Sequence, residues 1–251
     1  MKTALATLTG NLYLVFGTLF WAIMAIVFGM IPPRGHWTYP VGRLWSKGLL
    51  FCAWLRVETR FAVPLDPQAR YVYMANHQSL FDIPVLLATL PGKTRFLAKK
   101  SLFQIPIFGW AMSIAGFIPV DRRDRSTARD MFAEAIARLR AGVSLLVFPE
   151  ETRSLDGKVH AFQRGGFLLA MKSGLPIVPV GLNGTFDVQP RRSFLIRPRR
   201  IVVNYGAPVQ TDGVELRSKR VLVSEARAEV ARLAGLPMAE ESPGIASPHG
   251  E

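Results

Sequence analysis

Tyr71-Val72-Tyr73-Met74-Ala75-Asn76-His77-Gln78-Ser79-Leu80-Phe81-Asp82-Ile83-Pro84 is the stretch on which the fold turns. Its first five residues are β-branched, aromatic or small and apolar, the composition of a short buried strand. From Ile83 to Leu90 the chain is apolar at helical density. Pro84 limits where that helix begins, because a proline leaves the hydrogen-bond ladder intact only within a helix's first turn. The helix therefore starts no earlier than about Leu80 or Phe81. His77 falls at the strand's C-terminal edge and Asp82 in the first helical turn. On one continuous helix, five residues would rotate the two side chains well apart, whereas across a strand–turn–helix junction they can converge. A carboxylate bonded to an imidazole fixes its tautomer and stabilises its protonated form, so such a pair can take a proton from a hydroxyl. The plainer reading is a helix-capping Asp82 and a satisfied turn histidine. One His-x4-Asp pair does not decide between them.

The alternation of strand and helix continues outward. Strands are predicted at Val57–Val63, Tyr71–Ala75, Thr94–Ala98, Phe117–Val120, Val143–Phe148, Pro176–Leu182 and Arg199–Tyr205. Helices are predicted near Ile83–Leu90, Pro106–Ile114, Ala128–Arg140, Gly165–Lys172 and Val214–Leu233. The third carries Ala128, Met131, Phe132, Ala135, Ile136 and Leu139 on one face, a core-packing stripe. This order predicts an α/β domain over residues 61–235, with a central mixed sheet flanked by helices. Residues 236–251, rich in Pro, Ser, Gly and Glu, are expected to form a disordered tail.

Ahead of the domain, residues 1–60 read as a membrane anchor with interfacial helices. No charged side chain occurs from Thr3 to Pro33, and Leu12 to Ile31 is almost wholly apolar, enough to cross the hydrocarbon core at about 20 residues per spanning helix. A cleaved signal peptide fits less well, because the run is long for an h-region and Ile31-Pro32-Pro33-Arg34 is a poor cleavage site. Trp37, Arg43, Trp45, Lys47, Trp54, Arg56 and Arg60 surround a second apolar run, Gly48–Leu55, as in an interfacial helix. Either one spanning helix precedes a surface helix, or a re-entrant hairpin dips into one leaflet. Positive charge after the first run exceeds that before it, which places the catalytic domain on the cytoplasmic face of an inner or plasma membrane.

Composition agrees. The 251 residues are 49% hydrophobic with a net charge of +13. Hydrophobic and strongly basic together point to membrane lipids or anionic substrates. A nucleic-acid partner is not expected, since the aromatic residues lie in apolar runs and not among the arginines. Cys52 is the only cysteine, which excludes an internal disulfide and any multi-cysteine zinc site. His36, His77, His160 and His249 show no metal-ligand spacing, so neither a metal nor a cofactor is expected.

Three further stretches carry chemistry. Phe96-Leu97-Ala98-Lys99-Lys100-Ser101 ends a strand in two lysines, which either bind an anion or form a solvated turn. Leu145-Leu146-Val147-Phe148-Pro149-Glu150-Glu151-Thr152-Arg153-Ser154 runs a buried strand into two carboxylates, a hydroxyl and an arginine. These project at the strand's C-terminal edge, where α/β sheets bind ligands, and Arg153 offers a planar fork suited to phosphate. Phe162-Gln163-Arg164-Gly165-Gly166-Phe167 follows, and then Leu175-Pro176-Ile177-Val178-Pro179-Val180.

In order and spacing, Asn76–Asp82, Lys99–Gly109 with Gly116–Arg122, Phe148–Ser154 and Leu175–Val180 match four motifs of one family. Over about Tyr71 to Thr185 the sequence resembles the 1-acyl-sn-glycerol-3-phosphate (lysophosphatidic acid) acyltransferases, and four blocks together are far more specific than one. The resemblance implies a glycerolipid acyltransferase-like α/β fold. It also implies His77 as catalytic base and Asp82 as the residue that orients it. Lys99 (or its neighbour Lys100) and Arg153 are implied as ligands of the substrate phosphate, with Glu150 in the same block and Arg164 assisting. Glu151 stands where the family has glycine, and if that position needs a positive φ, glutamate is strained there.

The expected reaction is direct acyl transfer from acyl-CoA or acyl carrier protein to the hydroxyl of a lysophospholipid acceptor, giving phosphatidic acid. A thioester is already activated, so no enzyme nucleophile is required. One rival is another lyso-lipid acceptor, such as a lyso-aminolipid, whose cationic head group Glu151 would suit. The other is a thioesterase or lipase, against which stands the lack of a Gly-x-Ser-x-Gly elbow.

Overall fold

Within the deciding stretch, Val72–Ala75 forms a strand whose four side chains are all buried. Tyr73 and Ala75 enter one core and Val72 and Met74 the other, the two-residue alternation of a strand covered on both faces. The computed structural model describes residues 1–32, 35–120, 132–137, 139, 142–212 and 219–240. Its strands are β1 (Arg56–Phe61), β2 (Val72–Ala75), β3 (Thr94–Lys99), β4 (Ile118–Val120), β5 (Ser144–Val147), β6 (Ile177–Asn183) and β7 (Arg200–Tyr205). They form one seven-stranded sheet in the order β1-β7-β6-β2-β5-β3-β4. Every pair is parallel except β6 with β7. The sheet is mixed, as the sequence predicts, and each predicted strand lies within about two residues of an observed one.

Because β2, β3, β5 and β6 run parallel, the residues that follow them emerge on one edge of the sheet. His77, Lys99, Phe148 to Arg153 and Asn183 therefore share one rim. Cover on one face comes from α2 (Thr38–Cys52) and α3 (Asp82–Thr89), whose Leu49, Leu50, Val85 and Leu86 pack on Tyr73, Val178, Val180 and Ile201. On the other face, α5 (Gly165–Ser173) and α7 (Lys219–Ala234) bring Phe167, Leu169, Leu222 and Val230 against Val72, Leu145 and Ile177. Two shorter helices are α4 (Phe108–Ile114) and the one-turn α6 (Thr185–Val188). Residues 132–137 are helical. The rest of the helix predicted over Ala128–Arg140 is only partly described, the start of Val214–Leu233 lies outside the described residues, and so do Asp121 and Arg122, which in sequence read most simply as a structural ion pair.

The N-terminal helix α1 (Lys2–Met30) is long and apolar enough to cross a membrane by length and composition, and contains one π turn at Tyr13–Gly17. It does not stand away from the domain. Thr7 Oγ1 donates to the Ile196 carbonyl near one end, and the α4 residue Ile114 packs against Gly29 near the other. Its inward residues are small, namely Ala6, Gly10, Ala22, Ala25 and Gly29. Its outward row, including Leu8, Leu12, Val15, Phe16, Phe20 and Val27, is exposed. Helix α2 returns alongside it, and a Cβ at Gly48 would collide with the Tyr13 hydroxyl.

Three expectations change. First, residues 1–60 are not separable from the domain at 61. Residues 56–60 are the body of β1, paired to β7, and Leu49, Leu50 and Ala53 belong to the sheet's own core. Second, Trp45 and Arg43 do not serve a surface girdle. Trp45 Nε1 donates to Thr18 Oγ1 at 3.0 Å inside the hairpin, and Arg43 donates to the Ala88 carbonyl at 2.8 Å. Third, the start of the 236–251 tail is held, with Val159 N–H donating to Pro237 O and Ala239 N–H to Val159 O; residues 241–251 lie outside the described residues.

Candidate active site

Where β2 ends, Asn76 continues its ladder with a side chain. Its Nδ2 donates to the Leu182 carbonyl at 2.9 Å and its Oδ1 accepts the Leu182 N–H at 2.8 Å. This fixes the backbone from which His77 springs. Asp82 opens α3 and is fully buried. Its Oδ2 lies 2.7 Å from His77 Nδ1 and accepts the N–H groups of Gln78 at 2.6 Å and Ser79 at 2.8 Å. The pair therefore converges across the turn. With Nδ1 held by a carboxylate, Nε2 is left to exchange protons. Phe148, the residue after β5, stacks on the imidazole with centroids 4.1 Å apart and planes 18° from parallel, which sets the ring's plane.

Glu150 has a different part from the phosphate ligand expected of it. Its Oε1 accepts the His77 N–H at 2.7 Å and its Oε2 the His160 N–H at 2.9 Å. Both oxygens face backbone donors and the residue is buried, so Glu150 supports the histidine. Burial pushes its carboxyl up from the ordinary range, and the two N–H bonds, with His160 and His77 beside them, pull it part-way back. The same loop is tied to the turn twice more, by Ser154 N–H to His77 O at 2.8 Å and Gln78 Nε2 to Gly157 O at 2.7 Å.

A cavity of about 550 Å³ opens beside His77. Lys99, Glu151, Arg153, Arg191 and Arg95 are its charged lining residues, and the rest is largely apolar, reaching Trp21, Ala25, Gly42 and Trp45 of the helical hairpin and Phe96, Ala111 and Met112 of the domain. Lys99 and Arg153 thus line the same cavity as the histidine. Lys100 and Arg164 do not line the cavity; Arg164 is exposed at the start of α5, turned to solvent. Arg191 lies beyond the four motifs, in the cluster Arg191, Arg192, Arg197, Arg199 and Arg200, which in sequence reads as a solvated basic face or a contact for anionic head groups and not as part of the site. It lies close enough to Arg153 to act on it. Burial, then the charge of Arg191, lowers the Arg153 pKa, and Asp82 works in the opposite direction. Two arginines and a lysine around one cavity have the chemistry to hold a multiply charged anion.

Glu151 has φ +64°. The position does require a left-handed backbone, and the chain carries glutamate there at the cost of strain.

Residues 56–183 match the family model described as acyltransferase. The chain belongs to the acyltransferase family. It is 37% identical over 203 residues, 80% of its length, to a chloroplastic 1-acyl-sn-glycerol-3-phosphate acyltransferase of Arabidopsis thaliana, and covers 55% of that relative. With the alpha 1-acyl-sn-glycerol-3-phosphate acyltransferase of Bos taurus it shares 32% identity over 198 residues, 78% of this chain and 69% of the relative. Among solved structures, the 1-acyl-sn-glycerophosphate acyltransferase PlsC from Thermotoga maritima aligns with a TM-score of 0.76 at 25% identity, over 96% of this chain and all of that one. The chain spans about half the length of the Arabidopsis relative. In this member of the acyltransferase family, then, His77, backed by buried Asp82, lines a largely apolar cavity that also carries Lys99, Arg153 and Arg191.

Proposed function

We propose that this acyltransferase moves a fatty acyl group from a thioester, on coenzyme A or acyl carrier protein, to the free hydroxyl of 1-acyl-sn-glycerol-3-phosphate, giving phosphatidic acid at a membrane surface. The observation that carries the proposal is the histidine with its Nδ1 on a buried carboxylate, lining one cavity with Lys99, Arg153 and Arg191.

The acceptor phosphate is held by those three cations, which puts its glycerol hydroxyl within reach of His77. Nε2 takes the hydroxyl proton as the oxygen attacks the thioester carbonyl carbon. The tetrahedral intermediate collapses, the C–S bond breaks, and the departing thiolate takes the proton back from the imidazolium. Asp82 stabilises the imidazolium between these events. The apolar end of the cavity accommodates an acyl chain, with the helical hairpin as one wall. A second acceptor class is favoured by Glu151, whose carboxylate lines the same cavity and would suit a lyso-lipid with a cationic head group.

Supplying labelled acyl-CoA and acyl carrier protein with lysophosphatidic acid, a lyso-aminolipid or no acceptor, and resolving the products, tests the reading. Labelled phosphatidic acid is expected. Free fatty acid as the main product in every arm would mean a hydrolase.

A further inference from the structure

We propose that the loop from Pro190 to Arg199 is a second lipid-docking element, with Phe194 and Leu195 entering an anionic bilayer surface and the neighbouring arginines meeting its head groups. The inference rests on the reading of a membrane-lipid acceptor and adds a surface that, Arg191 apart, lies outside the cavity and outside α1.

Three observations carry it. Phe194 is 85% exposed, a large hydrophobe with almost no cover, and Leu195 beside it is 39% exposed. Burial of such a side chain is left to something that meets the loop. Next, the loop is pinned to α1 along half-buried Thr7 and Asn11 and buried Gly10. Asn11 Nδ2 donates to the Phe194 carbonyl at 3.0 Å, the Ile196 N–H donates to Thr7 Oγ1 at 3.0 Å, and buried Ile196 lies where a Cβ at Gly10 would come within 2.7 Å. Leu8 and Val15, three residues before and four after Asn11, neighbour it on the helix surface, so exposed Phe194 borders the outward apolar row of α1, and an apolar surface that extends beyond one helix marks an interaction face.

Third, Arg192 occupies the third position of a tight turn closed by Ser193 N–H to Pro190 O at 3.1 Å, with φ +71°. Glycine or asparagine would fit that turn without strain. An arginine held there against its backbone preference signals a use for its charge. Arg192 and Arg199 are exposed, and Arg197 is half-buried; Arg200 is engaged with Glu58. Cations beside an inserted aromatic are the arrangement an anionic interface attracts.

The test uses the full chain with Cys52→Ser, which removes its one cysteine, and a single new cysteine at Phe194 or, on the opposite face of the sheet, at exposed Val221. Each carries an environment-sensitive fluorophore and meets vesicles of phosphatidylcholine with or without phosphatidylglycerol. A blue shift is expected at 194 with phosphatidylglycerol and none at 221. In parallel, Arg192→Gly should raise the melting temperature while weakening sedimentation with the anionic vesicles about fivefold at low salt, and negligibly at high salt. If the protein sediments with vesicles but the probe at 194 stays water-like, this proposal fails and the lipid-acceptor reading stands. If the protein ignores vesicles altogether, both fail. A probe that shifts with acyl carrier protein and not with vesicles would also overturn it, assigning the face to an acidic protein.

Discussion

Asp82 Oδ2 has three donors, the His77 ring and two backbone N–H groups, while Oδ1 has no partner among the described residues. This asymmetry makes Asp82→Asn informative. If the amide oxygen takes the Oδ2 place, the turn keeps its bonds but loses the charge that stabilises the imidazolium. Turnover should then fall on the order of a hundredfold or more with little change in the Michaelis constant, while His77→Ala loses transfer altogether. Near wild-type turnover in either variant, measured beside its melting curve, would remove the pair from the mechanism. Glu151 offers a test in which two readouts move in opposite senses. Replacing it with glycine relieves a left-handed penalty of about 1 kcal/mol, so the melting temperature should rise by a few degrees. It also strips a carboxylate from the cavity, so competition between lysophosphatidic acid and a zwitterionic lysophospholipid should shift towards the more anionic acceptor. An unchanged ratio would show that Glu151 does not face the head group. The placement of His77 against Asp82 was legible in sequence because one strand–turn–helix junction sets their geometry. That of Glu150 was not, because its partners are backbone N–H groups of His77 and His160, and the first is brought to it only by the pairing of β2 with β5.

At the scale of elements, strands buried on both faces and proline-marked helix starts make the alternation readable, and the deviations have local causes. The predicted strand at Val57–Val63 stops at Phe61 because β7, its single partner, stops at Tyr205. What no periodicity reveals is the loop from Phe148 to Phe162, which is irregular yet firmly bonded. Asp156 Oδ1 takes His160 Nε2 at 2.8 Å, Ser154 Oγ at 2.9 Å and the Lys158 N–H at 3.1 Å. Burial alone would raise this carboxyl, but these bonds outweigh it and bring the pKa from 3.8 down to about 2. A carboxyl depressed by folding contributes stability above its ordinary pKa and loses it as pH falls through the depressed value. Amide protection across 154–160, corrected for intrinsic exchange, should therefore decline as pH drops from 3.8 towards about 2, and Asp156→Asn should remove that pH dependence. Glu150→Gln is a harder blow to the same loop. It turns an amide NH₂ towards a backbone N–H, leaving a buried donor unmet at about 1–3 kcal/mol. Loss of stability together with loss of turnover is expected, and unchanged values for both would contradict the support Glu150 gives to His77.

For the whole molecule, the decisive feature is that α1 has two unlike sides and both matter. Thr18, Trp21, Ala22 and Ala25 form a wall of the cavity, while Val15, Phe16 and Phe20 point away from the protein. Deleting residues 1–35 would remove wall and outward face together, so similar losses on every acceptor would say nothing about anchoring. Substitutions on one side at a time separate the two. A free-floating enzyme must draw its acceptor out of the bilayer, exposing the chain to water at about 0.8 kcal/mol per CH₂. A helix lying in the interface beside the cavity mouth avoids that cost. Changing Val15, Phe16 and Phe20 to serine together should leave the fold and the activity on a short-chain, water-soluble acceptor near wild type, because none of these side chains is buried. Activity on acceptor embedded in vesicles should fall at least tenfold, in step with loss of vesicle sedimentation. Ala22→Phe or Ala25→Phe should do the reverse, keeping vesicle binding but filling part of the cavity, so that the longest acyl chains are lost from the product first. Assaying both sets against both acceptors, with chain lengths resolved, gives the answer. Equal losses on the two acceptors from the outward set would mean that those side chains serve folding, and that this helix does not hold the enzyme at its substrate's surface.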